Sequence, residues 1–364
     1  MPTPRDPSDL VLRHVRELSP YSPGEQPRDQ NWTKLNTNEN PYPPSPRVAE
    51  AVVQSVAGVR LYPDPRSSRL RQAISEHHEI GENRVFVGNG SDEILNLLVR
   101  AFCGSGRPVG MTDPGYSLYP VLAAIQNTEI IKVPFDRSMQ LDPERIANSG
   151  AHLFFLTSPN APTGVGFRLI DLARLLELFS GLLVVDEAYA AFSKEDAVSL
   201  LESFPHVAIT RTFSKSYSLA GLRVGYLLAA PPVVEALDRI RDSYNVNLVS
   251  QEGARAALAD RGYHQETVAR IVSTRDSCIQ RFAELGWFTY PSQSNFIFTE
   301  PVSGDGKSGP AVARSLQSFL RENRILVRYF DGSPLTERFL RISVGTETEM
   351  ELLFVEIQTW LETV

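Results

Sequence analysis

Between residues 85 and 230, seven short runs are largely apolar at consecutive positions: Val85–Val87, Pro108–Met111, Ile130–Val133, His152–Leu156, Leu182–Val185, Val207–Thr210 and Val224–Ala229. A strand wetted on one face alternates apolar and polar residues, so uninterrupted runs predict strands covered on both faces. The stretches between them keep a different period. Ile94, Leu97, Leu98, Ala101 and Phe102 fall on one helical face, as do Leu169, Leu172, Leu175, Leu176 and Phe179. Strand and helix thus alternate, which predicts an α/β fold with a mostly parallel central sheet between helices. The chain has 364 residues, more than one core usually serves, so two domains are expected. After about residue 245, helical patterns lead to strand-like runs at Phe296–Phe298, Ile325–Tyr329 and Phe339–Val344. The expected division is a larger domain over 36–245, a smaller α+β domain over 246–364, and an arm over 1–35 that packs with the smaller domain.

Composition narrows the classes of partner. Lys and Arg total 36 against 43 Asp and Glu, a net charge of -7 without long runs of either sign, which argues against nucleic acid. Cys103 and Cys278 are too few for a disulfide framework or a cysteine-rich metal site and fit a reducing compartment. The first residues, Met-Pro-Thr-Pro-Arg-Asp-Pro, carry charges and prolines where a signal peptide needs an apolar core. No apolar run reaches the length of a membrane span. The expectation is a soluble cytoplasmic protein acting on small molecules.

Open α/β sheets bind ligands beyond the carboxyl ends of their strands, and five such ends carry polar or aromatic groups. The run Thr210–Tyr226 isolates Lys215 among hydroxyls and ahead of Arg223. A lysine that attacks an aldehyde must shed its proton, so it belongs in a desolvated site; Arg223, Ser214 and Thr212 offer donors for a phosphate nearby. One segment could hold both ends of pyridoxal phosphate. Asp186 closes the run Leu182–Val185, where it either caps the next helix or faces the protonated ring nitrogen of such a cofactor. Tyr189 follows within reach of the ring's phenolic oxygen. Val85–Glu93 reads as strand, glycine turn and helix start, with backbone amides and hydroxyl around Gly90, Ser91 and Asp92 suited to an anion. Tyr116 offers a ring for stacking, and Asn160 lies in a turn at the same edge.

Together these residues resemble the fold-type I pyridoxal phosphate aminotransferases, and among them the histidinol-phosphate aminotransferases. The marks are Pro20–Gly24, Lys34–Tyr42, Arg60–Asp64, Asp186–Tyr189, the Lys215 segment and Leu340–Gly345. The resemblance implies that Lys215 bonds the cofactor aldehyde and moves a proton between substrate Cα and cofactor C4′. It implies Asp186 at the ring nitrogen, Tyr189 at the phenolic oxygen and Tyr116 against the ring. Ser91, Asp92, Ser214 and Arg223 would bind the cofactor phosphate. Tyr62 would reach in from a neighbouring subunit, making a homodimer with sites completed across its interface. Tyr21, Asn40, Arg328 and Arg341 would meet substrate: Arg341 its carboxylate, Arg328 the phosphate of histidinol phosphate, Tyr21 the imidazole. The implied reaction is amino transfer from L-histidinol phosphate to 2-oxoglutarate. Aromatic amino-acid transamination and threonine-phosphate decarboxylation are the alternatives. One position departs from the resemblance. Ala161 stands where the family has an asparagine that donates to the phenolic oxygen, and Asn160 is expected to turn inward in its stead.

Overall fold

In the computed structural model the described residues are 6–19, 24–27, 29 and 31–363. Thirteen strands are present among them. They are β1 (Thr33–Lys34), β2 (Val85–Gly88), β3 (Val109–Asp113), β4 (Ile130–Pro134), β5 (Leu153–Thr157), β6 (Leu182–Asp186), β7 (Val207–Thr212), β8 (Gly225–Ala229), β9 (Phe288–Thr289), β10 (Phe296–Glu300), β11 (Ile325–Leu326), β12 (Arg328–Tyr329) and β13 (Leu340–Ser343).

The seven consecutive-apolar runs become β2 to β8, joined in one sheet of order β2-β8-β7-β6-β5-β3-β4. Only β8 runs against its neighbours. Burial on both faces explains the runs, because successive side chains feed different cores. Val87, Leu156, Val185, Ile209 and Leu228 point to one face, where Leu70, Ile74, Leu172, Leu175 and Ala257 pack on them. Phe86, Phe155, Val184, Ala208 and Leu227 point to the other, covered by Leu95, Leu98, Leu122 and Leu237. The edge strand β4 departs from the expectation: Ile130 and Ile131 are only partly covered and Lys132 is exposed. An edge strand has a neighbour on one side only.

A further core gathers Ile271, Phe282, Phe296, Leu316, Ile342, Leu353 and Trp360 around the four-stranded sheet β12-β13-β10-β9. The helix Leu248–Ala259, expected with this smaller unit, packs instead on the larger sheet's layer. Gly253 lets it approach closely, for a methyl there would come within 2.7 Å of Leu222 and 3.5 Å of Val52. The run Ile325–Tyr329, expected as one strand, is two. Ile325 and Leu326 pair in parallel with β1, whereas Arg328 and Tyr329 pair with β13, so the chain changes partner at Val327. The arm is likewise divided. Its end, β1, joins the smaller unit, but its helix Arg13–Arg16 lies against the helix Leu118–Ile125 of the larger one.

Candidate active site

The register of the large sheet assembles the centre of the site. Thr157 lies beside Asp186, and Asp186 beside Thr210, at the carboxyl ends of three parallel strands. Residues in register share a face. Thr210 Oγ1 donates to Asp186 Oδ1 at 3.1 Å, and the phenol of Tyr119 donates to Oδ2 at 2.8 Å. Burial pushes the Asp186 carboxyl up to about 6, and these two donors work against that rise. The next residue, Glu187, faces the opposite side, where Arg211 holds it in a bidentate contact at 2.7 and 2.9 Å. Strand alternation therefore separates a carboxylate turned to the cavity from one locked into the scaffold.

Lys215 enters the same space from the loop after β7. Burial, and secondarily the Arg341 guanidinium, pushes its amine down to about 8, with Glu39 opposing. Its Nζ donates to the Thr37 carbonyl at 3.1 Å. A cavity of about 500 Å³ joins Lys215, Asp186, Tyr189, Tyr116, Ser91, Asp92, Ser214, Arg223, Arg328 and Arg341, with Ala161 in its wall.

Donors for an anion cluster at one side. Gly90, at φ 80°, turns the chain into the helix Ser91–Phe102, and that conformation favours glycine. The turn brings Arg223 alongside: its Nη2 meets Asp92 Oδ2 at 3.3 Å and its Nη1 meets Ser214 Oγ at 3.3 Å. The helix amino end adds partial positive charge at the same spot. Tyr116 Oη donates to Asp92 Oδ1 at 3.3 Å, which holds its ring at the rim.

Arg328 and Arg341 are direct cross-strand neighbours on β12 and β13. Arg341 Nη2 donates to the Asn36 carbonyl at 3.1 Å, and both guanidiniums lie near Phe330, 5.5 and 5.1 Å from its ring centre. Two cations side by side on one wall of a cavity suit an anionic ligand.

Two expected residues stand elsewhere, and Tyr62, expected at the site of a neighbouring subunit, lies outside the cavity lining of its own chain. Asn160 does not turn inward: it is fully buried, its Oδ1 accepts from Thr163 Oγ1 at 2.8 Å, and its Nδ2 donates to the Pro114 carbonyl at 3.1 Å. Its amide closes the turn and leaves Ala161 facing the cavity. Asn40 supports the lysine loop rather than lining the cavity, donating to the carbonyls of Lys215 at 3.1 Å and Ser216 at 3.2 Å. Tyr62 is 81 % exposed and stacks on Tyr244 at 4.5 Å. Tyr21 lies outside the described residues.

Tyr119 and Asn38 are among the residues of the site that went unassigned in the sequence. Tyr119 sits one helical turn after Tyr116, a spacing that brings both rings to one layer. Asn38 lies within a family-like run, and its Nδ2 donates to Tyr189 Oη at 2.9 Å. Its left-handed backbone, φ 56°, is held by its N–H donating to Ser343 Oγ at 2.8 Å.

Comparison with known proteins gives the family. The model of the family "Aminotransferase class I and II" matches residues 30–357. The chain is 45 % identical over 345 residues to the histidinol-phosphate aminotransferase of Syntrophotalea carbinolica, covering 94 % of this chain and 96 % of that one. It is 42 % identical over 349 residues to the enzyme of the same name from Chromohalobacter salexigens, covering 94 % and 97 %. The crystal structure of histidinol-phosphate aminotransferase from Sinorhizobium meliloti, in complex with pyridoxal-5'-phosphate, superposes with a TM-score of 0.84 at 29 % identity over 91 % of each chain. With its fold-type I sheet and a lysine, carboxylate and arginines in one cavity, the chain belongs to the class I and II aminotransferases.

Proposed function

We propose that this aminotransferase uses pyridoxal 5'-phosphate to move the amino group of L-histidinol phosphate to 2-oxoglutarate, yielding imidazole-acetol phosphate and L-glutamate in histidine biosynthesis. One observation carries the reading: a desolvated amine, Lys215, shares a cavity with a buried carboxylate at one strand edge and two neighbouring guanidiniums on the facing wall. The names of the relatives at 42–45 % identity support the substrate.

The donor set fits the cofactor. The backbone amides of Ser91 and Asp92 at the helix start, with the Ser214 hydroxyl and the Arg223 guanidinium, suit its phosphate. Asp186 would hold the ring nitrogen and Tyr189 the phenolic oxygen, and Tyr116 would offer its ring for stacking. When bound, the cofactor supplies an electron sink for the carbanion left at substrate Cα. The rest belongs to the chain. Lys215, its amine lowered to about 8, would be the group that moves the proton from substrate Cα when the cofactor is bound. Arg341 binds the carboxylate of glutamate and 2-oxoglutarate, and Arg328 joins it for the phosphate of histidinol phosphate. Tyr62 serves the site of a second copy. Its exposure supports this, as does the apolar surface of Val53, Val56, Val59 and Leu61 along the same stretch, which suits a homodimer interface.

Cofactor-loaded protein offered histidinol phosphate, phenylalanine and phosphothreonine, with the product identified as ketone or carbon dioxide, tests the assignment. We expect ketone and the highest kcat/KM with histidinol phosphate. A wide preference for phenylalanine, or carbon dioxide from phosphothreonine, overturns the substrate assignment.

A further inference from the structure

Asp186 offers two oxygens to its surroundings, and both are already held: Oδ1 by Thr210 and Oδ2 by Tyr119. The phenol is no flexible donor. Tyr119 is 1 % exposed, its ring stacks on Phe155 at 4.4 Å with 13° between planes, and Tyr116 meets it edge-on at 5.5 Å. Thr157 Oγ1 lies 2.7 Å from the same phenol. The carboxylate has no hydrogen to give, so the phenolic hydrogen points to Asp186 and the hydrogen of Thr157 points to Tyr119. The bonds run one way, from Thr157 to Tyr119 to Asp186.

We propose that Tyr119 is a positioning residue: its phenol fixes the rotation of Asp186 and keeps that carboxylate an acceptor, so that it recognises a cationic N–H of a heteroaromatic ring. The inference rests on the reading of Asp186 as the partner of the cofactor's ring nitrogen. A buried carboxyl stripped of a donor takes up a proton more readily, and a neutral carboxyl has lost the charge that selects a ring cation. Packing alone predicts something different. A ring that only fills space serves as well without its hydroxyl.

Tyr119→Phe keeps the ring and its stacking and removes only the donor. The test measures binding to cofactor-free protein of pyridoxal phosphate and of its analogue with C–H in place of the ring nitrogen. Wild-type protein prefers the natural cofactor; in Tyr119→Phe that preference shrinks by about tenfold, the scale of one charge-assisted hydrogen bond. Thr157→Val, which leaves Tyr119 and Asp186 in place, loses about threefold in the same direction, because chained hydrogen bonds reinforce one another. An undiminished preference in Tyr119→Phe overturns the proposal and leaves the reading of Asp186 intact. A wild type indifferent to the ring nitrogen overturns both.

Discussion

Lys215 shows how a single residue acquires its chemistry from placement. Its amine, lowered to about 8 first by burial and then by Arg341, is largely protonated at pH 6 and largely free at pH 9. Capture of an aldehyde needs the free amine. The rate at which cofactor-free protein takes up pyridoxal phosphate, followed by absorbance, should climb about tenfold per pH unit and level off near pH 8. Arg341→Gln removes a repelling cation and moves the plateau to higher pH. A plateau that stays in place would show that burial alone sets the amine. Lys215 was legible in the sequence because its neighbours are unusual for a surface lysine. Asn160 was misread for an equally physical reason: of two adjacent residues in a turn, only one faces the ligand, and the turn's own hydrogen bonds claim the amide.

At the scale of elements, the contact between β8 and the start of the helix Ser91–Phe102 sets the anion cradle. Gly225 begins β8 directly against that helix, where an added methyl would sit 2.4 Å from the Ser91 nitrogen, 2.7 Å from the Gly90 carbonyl carbon and 3.0 Å from the Arg211 oxygen. All three are backbone atoms and cannot rotate away. Gly225→Ala should therefore push the helix start from Arg223, lowering stability by about 1–3 kcal/mol and weakening cofactor affinity, measured by denaturant unfolding and equilibrium binding. Unchanged affinity would detach the helix start from phosphate binding. The inner strands of this layer were readable because each buries both faces and so prints an apolar run. β1, β11 and β12 hold two residues each, too few for any period, and their pairing depends on partners more than 290 residues away in the first case.

Across the whole molecule, two buried histidines outside the cavity lining contribute to the response to acid. Desolvation pushes His78 down to about 3 and His264 to about 4; His78 Nε2 contacts Tyr226 Oη at 3.0 Å and His264 stacks on Tyr217 at 4.0 Å. Both folded values lie below the ordinary 6.5, so as pH falls below 6.5 the unfolded chain binds protons that the folded one excludes, and stability is lost. Relative to His78→Gln, wild-type protein should lose about 1.4 kcal/mol of unfolding free energy per pH unit between roughly pH 6.5 and 5. Denaturant curves at several pH values check this, and parallel pH profiles for the two proteins would refute it. The presence of a second, antiparallel sheet after residue 245 was visible in the sequence as a change of pattern there. The seam itself was not, because Leu248–Ala259 is a small-residue helix whose allegiance is decided by the surface it can approach most closely.

The eight residues 33–40 are fastened at both ends. Thr33 and Lys34 are zipped to β11 of the smaller unit, while Thr37 and Asn40 grip the Lys215 amine and the carbonyls beside it. The segment that holds the reactive amine is thereby tied to β11, two residues before Arg328 crosses to the neighbouring sheet. Arg341 also donates to the Asn36 carbonyl inside the same eight residues, so adjacent peptide units carry one carbonyl for the reactive amine and another for a guanidinium.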